Sequence, residues 1–143
     1  MDLRIRRVGR SRCAHLSRDR PRLYDSLVQI IDGAGVWTAP DAGAANDWVE
    51  HFAVPALSVG TYCIPAGGTD DQSPHTEDEI YVVTAGRARI STPGGTSDVG
   101  AGSVIFVPAG EEHRFVDVAE DLALLVVFGP AYGTRSGASS ANQ

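Results

Sequence analysis

Two short segments of the sequence carry the residues best suited to chemistry, and each contains a histidine. The first reads Pro-His-Thr-Glu-Asp-Glu-Ile-Tyr and spans residues 74–81. His75 precedes Glu79 by four residues, so an extended chain would direct both side chains to the same face. An imidazole and a carboxylate that converge in this way suit a borderline divalent ion such as Zn, Fe, Mn, Ni or Cu. The segment therefore indicates part of a metal site.

The second segment reads Pro-Ala-Gly-Glu-Glu-His-Arg-Phe and spans residues 108–115. Its first three residues predict a turn, and the residues after the turn predict a strand that begins with an inward-facing histidine, His113. The chain has four histidines, and the other two, His15 and His51, are interpreted as surface or packing residues. Only the segments around His75 and His113 look built around a histidine.

Short strands must position these two segments, because from about residue 51 onward apolar runs alternate with turn signals. No stretch between Gly60 and Gly129 shows helical periodicity over ten residues. This pattern is typical of an all-β sandwich or barrel. The predicted strands span residues 51–54, 57–64, 79–84, 88–92, 97–99, 104–107, 113–118 and 122–128.

The residues before this β-rich region give a weaker pattern. The spacing of apolar residues in 23–31 fits either a short helical turn or an entering edge strand, and the sequence does not separate the two. Residues 36–50 are rich in small and polar side chains, and they are interpreted as a loop pinned by Trp37 and Trp48.

The two histidine segments resemble the paired sequence motifs of the cupin superfamily. The first cupin motif reads G-x5-H-x-H-x3,4-E-x6-G, and this chain has His75, three residues, Glu79, six residues and then Gly86. The second reads G-x5-P-x-G-x2-H-x3-N, and residues 102–113 match it up to the histidine, with Asp117 in place of the final asparagine. Fifteen residues separate the motifs, which looks like the compact single-domain bacterial members of the family.

The resemblance implies a single-domain, antiparallel jelly-roll β-barrel of the cupin type, with one divalent metal ion held by the motif histidines and the glutamate. Matched residue by residue, His75 is the second histidine of the first motif, Glu79 is its carboxylate, and His113 is the histidine of the second motif. The first motif histidine has no counterpart, because Ser73 stands at its position. Beside it, Gln72 carries an amide oxygen that can coordinate, so Gln72 is a candidate fourth ligand, with Ser73 or water as the alternatives.

Several further residues near the motifs are weighed as functional candidates or as ordinary structure. Tyr81 points inward by alternation and is a weak candidate for a catalytic group, and Asp117 is the other inward base considered. Cys63 and Phe115 are interpreted as packing residues, whereas Arg87 is interpreted, with Arg89, as a solvated edge residue. An acidic cluster around the first segment is interpreted as a solvated loop; it comprises Asp70, Asp71, Glu77 and Asp78.

Composition and charge restrict the class of protein. The chain of 143 residues has room for one domain, and its 43% of hydrophobic and 21% of charged residues are ordinary for a globular protein. Eight arginines and two aspartates fall in residues 1–22, whereas the rest holds four arginines and sixteen acidic residues. An acidic body would repel a phosphate backbone, so nucleic-acid binding through the barrel is not expected. The Arg-rich segment is interpreted as a leader, with a nucleic-acid tether or a clasp on an acidic partner as the alternative. The longest apolar run, residues 122–128, is too short for a membrane span.

These features suggest a domain division, a location and an assembly. We expect a partly disordered Arg-rich arm at residues 1–22, a cupin β-barrel domain at 23–133 and a disordered tail at 134–143. No signal-peptide pattern is visible, and two cysteines make no disulfide framework, so we expect a cytoplasmic protein. Small barrels have exposed edges, which residues 23–31 and 51–54 are apolar enough to supply, so we also expect a homodimer.

A site of two histidines and one carboxylate leaves coordination positions open for oxygen, water or a chelating substrate. The cupin resemblance implies a range of activities that includes dioxygenases, isomerases, lyases, cyclases and non-catalytic ligand sensors. The preferred interpretation is a metal-dependent enzyme of the dioxygenase or isomerase type that acts on a small organic molecule. The alternatives are a non-catalytic small-molecule binding or sensing barrel, and a structural barrel that has lost its metal.

Overall fold

A computed structural model describes residues 27–135 together with the isolated strand Arg6–Arg7. These ranges contain strands and turns but no α-helix, and so no helical segment of the kind that crosses a membrane. The strands are β1 (Arg6–Arg7), β2 (Asp47–Val54), β3 (Leu57–Ile64), β4 (Asp78–Ala85), β5 (Arg87–Thr92), β6 (Gly95–Gly100), β7 (Val104–Val107), β8 (Arg114–Val116) and β9 (Leu122–Gly129).

The strands form two sheets whose inner faces share one hydrophobic core. The larger sheet has the order β1-β2-β3-β9-β4-β7, and the smaller one has the order β6-β5-β8. Every neighbouring pair is antiparallel except β1 and β2, where Arg6 lies beside Val49 and Arg7 beside Glu50 in parallel. The prediction of an antiparallel all-β fold is therefore confirmed.

Strand β4 shows how the alternation of side chains directs polar groups into the core. Glu79, Tyr81 and Val83 are at most 2% exposed, whereas the outward-facing Ile80 is 39% exposed. Strand β4 lies between β9 and β7, so that Glu79 is flanked by Phe128 on one side and by the β7 backbone on the other. A carboxylate on a central strand of this sheet is thereby held inside the core.

The predicted loop at residues 36–50 is wrong at its end, because residues 47–50 belong to β2. Trp48 pairs with Tyr62 and is 5% exposed, so it is a core residue on a strand and not a pin within a loop. Its ring lies directly over Gly60, where an added Cβ would be 2.1 Å from the indole. The sequence did not indicate this strand, because polar residues stand next to Trp48 and only one face of the strand is buried.

The apolar run at residues 23–31 forms neither of the two predicted elements where the structure describes it. Residues 27–31 are neither helical nor in a strand, and Leu27 and Ile30 are 95% and 84% exposed. Residues 23–26 lie outside the described residues, as do residues 136–143 and most of the predicted Arg-rich arm. Of the predicted homodimer edge at residues 23–31, the part that the structure describes, residues 27–31, therefore contains no strand.

The eight strands predicted from residue 51 onward are all present, with shifts at their ends. Apart from the early start of β2 at Asp47, the largest shift is in β8, which covers only Arg114–Val116 and not the predicted 113–118. Asp117 ends this strand because its φ of 49° is left-handed, a conformation that cannot continue a strand. His113 thus lies immediately before β8, at the end of the turn that leads into it.

Candidate metal centre

Three parts of the chain bring polar side chains together between the two sheets. Strand β4 contributes Glu79 and Tyr81, the irregular segment before β4 contributes Gln72 and His75, and the turn before β8 contributes His113. Glu79, Tyr81, Gln72 and His113 are all buried, and His75 is half-buried. The two histidine segments singled out in the sequence therefore meet in space.

The nitrogen and oxygen atoms of these side chains are spaced as ligands of a single ion would be. The Oε2 atom of Glu79 lies 3.3 Å from Nε2 of His113 and 3.8 Å from Nε2 of His75. The Oε1 atom of Gln72 lies 3.1 Å from Nε2 of His75. Two ligands that are each about 2.1 Å from one ion, at angles near 90–110°, are about 3.0–3.5 Å apart. The observed separations are close to that range.

The surroundings of the Glu79 carboxylate show whether these nitrogen and oxygen atoms fit a cation. Its Oε2 atom is fully buried and makes no hydrogen bond, although two imidazole nitrogens approach it. A buried polar atom without a partner is costly, and more so when it carries charge. A divalent ion between the imidazoles and this oxygen would supply the missing partner, so the residues fit a metal.

The hydrogen bonds of His113 set its orientation. Its Nδ1 atom lies 2.9 Å from the carbonyl oxygen of Glu111, and a carbonyl can only accept, so Nδ1 carries the proton. The Nε2 lone pair is then directed at Glu79 and the site. Burial alone would lower the pKa of His113, but the Glu79 carboxylate and the Glu111 carbonyl outweigh burial and raise it. For His75 burial prevails over the attraction of Glu79, and its pKa is lowered.

Gln72 reaches the site and Ser73 does not. Gln72 is 8% exposed and its Oε1 atom faces His75, whereas Ser73 is exposed. Strict strand alternation would have turned Gln72 away, but residues 71–75 are not in a strand, so alternation does not apply to them. Of the two side chains considered for the fourth position, the structure brings only the amide oxygen next to the other three groups.

Tyr81 is in the site, whereas Asp117 is not. The hydroxyl of Tyr81 donates to Oε1 of Gln72 at 2.9 Å and lies 3.0 Å from Nε2 of His113. Burial and then the Glu79 carboxylate raise the pKa of Tyr81 well above its usual value, so it is a neutral phenol that donates a hydrogen bond. Asp117 is exposed and lies 3.4 Å from Arg89, so the interpretation of Asp117 as an inward base is wrong.

Two members of the predicted solvated acidic cluster are buried, which corrects that interpretation. Asp70 and Glu77 are each 2% exposed, whereas Asp71 and Asp78 remain exposed as expected. Asp70 accepts hydrogen bonds from Tyr62 and from backbone and side-chain groups nearby, and Glu77 accepts from the backbone of residue 135. The donors on Tyr62, Phe115 and residue 135 are brought to these carboxylates only by the fold, and for that reason the local acidic composition misled.

A set of aromatic rings on one side of His75 was missed by sequence reasoning. The His75 ring centroid lies 5.1 Å from Phe128 and 5.5 Å from Tyr132, and the two aromatic rings are 4.9 Å apart. Tyr132 is held in place by a hydrogen bond from its backbone N–H to the hydroxyl of Ser58. The predicted end of the last strand at Gly129-Pro130 gave no signal that the following turn folds back over the site.

Two spaces adjoin the candidate ligands. A small cavity of about 10 Å³, close to the space that one water molecule needs, is lined by Trp48, Tyr62, Gln72, His75, Glu79, Tyr81, Val126, Phe128 and Tyr132. A larger open groove of about 390 Å³ is lined by Gln72, Pro74, Ser91, Thr92, Pro93, Glu112, His113 and Arg114. Gln72 borders both spaces, so the groove is the side from which a molecule could approach the candidate ligands.

The remaining residues weighed in the sequence have structural surroundings. The thiol of Cys63 is buried and lies 3.9 Å from the carbonyl of Val36, and burial raises its pKa. His51 lies with its Nε2 atom 2.7 Å from the Thr61 hydroxyl, and Phe115 is in the core. Arg87 is exposed and pairs with Glu120, as Arg89 pairs with Asp98 and Asp117. His15 lies outside the described residues.

Comparisons with known proteins agree with this fold. A family model described as a cupin domain matches residues 60–128. An uncharacterized protein of Streptomyces coelicolor is 47% identical over 89 residues, which are 61% of this chain and 85% of the relative. The EutQ protein of Clostridium difficile is 25% identical, with a TM-score of 0.52 over 59% of this chain and 68% of that one.

An enzyme is among the solved structures with this fold. The DMSP lyase DddQ of Ruegeria pomeroyi is 22% identical, with a TM-score of 0.57 over 71% of this chain and 54% of that one. At this identity the likeness concerns the fold alone. The family match and the Streptomyces coelicolor relative show that this chain belongs to the cupin family.

Proposed function

We propose that this cupin binds one divalent transition-metal ion through His75, Glu79 and His113, with Gln72 as the fourth ligand. The observation that carries the proposal is the buried Oε2 atom of Glu79, which lies between two imidazole nitrogens and has no hydrogen-bond partner. Two nitrogen and two oxygen donors suit Fe, Mn, Zn, Ni or Cu. The carbonyl of Glu111 supports this role because it holds the Nε2 lone pair of His113 toward the site.

We further propose that the protein is a metal-dependent enzyme of the dioxygenase or isomerase type that acts on a small organic molecule. When bound, a divalent ion supplies Lewis acidity to an oxygen of such a molecule, and a redox-active ion supplies electrons for dioxygen chemistry. The groove of about 390 Å³ beside Gln72 and His113 has the volume of a small-molecule site. Tyr81, as a neutral phenol, would donate a hydrogen bond, and Phe128 with Tyr132 would shield His75 from water.

One observation favours the second candidate function, a non-catalytic barrel that binds or senses a small molecule. Among the described residues that line the small cavity, the ionisable groups besides the proposed ligands are three tyrosines. Burial raises the pKa of Tyr62, Tyr81 and Tyr132, so none of them is a ready proton acceptor at neutral pH. Chemistry that needs a strong base from the protein within the small cavity is therefore disfavoured, whereas ligand binding at the ion is not affected.

Metal loading tests the proposal directly. We expect chelator-treated protein to take up one ion per chain from among the five candidate metals. At an ion concentration about 100 times the dissociation constant, the midpoint of thermal unfolding is expected to rise by about 5–10 °C, since an ion that binds only the folded state stabilises it. Elemental analysis and differential scanning calorimetry provide the two measurements. Failure of all five metals to bind would contradict the proposal.

Measurements of oxygen uptake and product formation distinguish the proposed enzyme from the non-catalytic barrel. The protein loaded with Fe²⁺ is mixed with small organic acids and phenols in an oxygen electrode, and each mixture is also analysed for isomerised product. Turnover that disappears in the His113→Ala variant supports the enzyme. Saturable binding of a compound without any product supports the non-catalytic barrel.

We also propose that the protein is a homodimer. Support comes from the edge strand β7, where Val104 and Phe106 are 67% and 63% exposed and Phe106 lies opposite the outward-facing Ile80 of β4. We expect sedimentation equilibrium to give about twice the chain mass of 15.1 kDa. Phe106→Asp would place a charge in this apolar face and is expected to yield a monomer that keeps its metal. A wild-type protein that sediments as a monomer would contradict this proposal.

A further inference from the structure

Asp70 is a buried carboxylate, and each of its two oxygens accepts two hydrogen bonds. Its Oδ1 atom accepts from the hydroxyl of Tyr62 at 2.9 Å and from the backbone N–H of Gln72 at 3.1 Å. Its Oδ2 atom accepts from the side-chain Nε2 of Gln72 at 2.7 Å and from the backbone N–H of Phe115 at 2.9 Å. An ionised carboxylate can only accept, so every group that faces Asp70 must be a donor.

This requirement determines how the Gln72 amide is turned. An amide has a donor end and an acceptor end, and Asp70 can face only the donor end, Nε2. The acceptor Oε1 must then point to the opposite side, where it accepts from the Tyr81 hydroxyl and lies 3.1 Å from Nε2 of His75. If the amide were reversed, its NH₂ group would face the proposed ion and the Tyr81 hydroxyl, and its oxygen would face the Asp70 carboxylate. Tyr81 would then lose its acceptor, and two acceptors would face each other at Asp70.

We propose that Asp70 is a positioning residue that holds the Gln72 amide with its oxygen toward the metal ion. The inference rests on the proposed metal site and adds to it a reason why a neutral glutamine can serve as a dependable ligand. Asp70 touches no ligand atom, because it contacts the nitrogen end of the amide. It would act on the ion only through Gln72.

Asp70 also joins the two halves of the site. Its bond to the Phe115 N–H connects the segment that bears Gln72 to strand β8, although the two residues are 45 positions apart in the chain. His113 lies two residues before Phe115, at the entrance to that strand. One carboxylate therefore fixes the loop that carries the amide ligand relative to the strand that follows the histidine ligand.

A double-mutant cycle tests the proposal with Co²⁺ as the probe, because the absorption spectrum of bound Co²⁺ depends on its ligands. Asp70→Asn removes one acceptor and introduces an NH₂ group that allows the Gln72 amide to turn. We expect Asp70→Asn to weaken Co²⁺ binding by about 10-fold or more, and Gln72→Ala to weaken it to a similar extent. In the Gln72→Ala background, Asp70→Asn is expected to change the affinity less than about twofold. Equal losses in both backgrounds would show that Asp70 acts on stability and not through Gln72.

The visible absorption spectrum of bound Co²⁺ provides a readout that a merely structural role would not move. We expect the spectrum of Asp70→Asn to match that of Gln72→Ala, because both lose the same oxygen ligand. Glu77→Gln is the matched control: Glu77 is an equally buried acid of the same segment, but it binds the backbone of Arg135 and no proposed ligand. A wild-type spectrum in Asp70→Asn would overturn the proposal.

The outcomes also separate this inference from the metal site itself. If the wild-type protein binds no Co²⁺ or any other candidate ion, the proposed metal site fails, and this inference fails with it. If wild type binds Co²⁺ but Asp70→Asn leaves affinity and spectrum unchanged, only the role of Asp70 is refuted. Should Asp70→Asn not fold, Asp70→Ser, which keeps one acceptor in a smaller side chain, takes its place in the same cycle.

Discussion

Replacement of His113 by alanine is expected to lower the affinity for a divalent ion by more than about 100-fold, which exceeds the loss usually caused by changes outside the ligands. The His113 imidazole is buried and fixed by the Glu111 carbonyl, with its Nε2 atom 3.3 Å from Glu79. Its removal leaves a cavity and only one nitrogen donor, His75, which is too few to retain a labile transition metal. Isothermal titration with Zn²⁺ and elemental analysis of the purified variant measure the effect.

The neighbouring histidines make the comparison specific. His75→Ala is expected to behave like His113→Ala, and Gln72→Ala is expected to cost less because its amide oxygen is neutral. His51→Ala is the control, since His51 lies on β2 with its ring beside Thr61 and does not line the cavity. Metal content that stays normal in both His75→Ala and His113→Ala would mean that the ion binds elsewhere.

Substitution of Gly86 by alanine is expected to reduce the free energy of unfolding by about 3 kcal/mol or more. Gly86 joins β4 to β5 with a φ of +88°, which L-residues rarely adopt. An added Cβ would also lie 2.2 Å from the carbonyl oxygen of Asp121 and 2.9 Å from Cα of Leu122. Both are backbone atoms next to the buried start of β9, so they cannot move aside without displacing that strand.

Gly100→Ala provides the matched control for this prediction. Gly100 lies on β6 and does not have a left-handed φ, and its added Cβ would have Cγ of Arg87 as nearest neighbour at 3.6 Å. We expect the free energy of unfolding of this variant to lie within about 0.5 kcal/mol of the wild-type value. Urea denaturation followed by circular dichroism compares the two. Similar losses in both variants would refute the special role assigned to Gly86.

The parts of the fold that could be predicted are those in which one residue's environment follows from its near neighbours. The alternation of Glu79, Tyr81 and Val83 with outward residues identified β4, and the turn signals before His113 identified the entrance to β8. These two inferences use only local periodicity and turn signals, which the chain shows directly. That the two histidine segments would meet was implied by their resemblance to the cupin motifs.

The parts that could not be predicted depend on contacts between distant residues. Asp70 looked solvated because its donors, Tyr62 and the Phe115 N–H, are brought to it only by the folded sheets. Tyr132 was missed because nothing near it in the sequence shows that its turn packs on His75. Trp48 was predicted to lie in a loop, because the buried face of its strand is recognisable only from the contact of its ring with Gly60 on β3.

The departure of Asp117 from the cupin motif also has a physical explanation. Asp117 is exposed and its φ is 49°, so the motif position serves the backbone and not the metal. Asparagine and aspartate are the non-glycine residues that best tolerate a left-handed conformation. The exchange of asparagine for aspartate therefore preserves the turn that ends β8 and does not affect the candidate ligands.

The position of Trp48 gives the protein an intrinsic optical signal. Its indole lines the same small cavity as His75 and Glu79, and its ring nitrogen is buried without a hydrogen bond. Fluorescence from an indole in such apolar surroundings is shifted to the blue and is separable from that of the more exposed Trp37. An open-shell ion such as Cu²⁺ quenches nearby indole emission, whereas Zn²⁺ does not. Binding of an open-shell ion at the proposed site is therefore expected to be measurable in real time without any label.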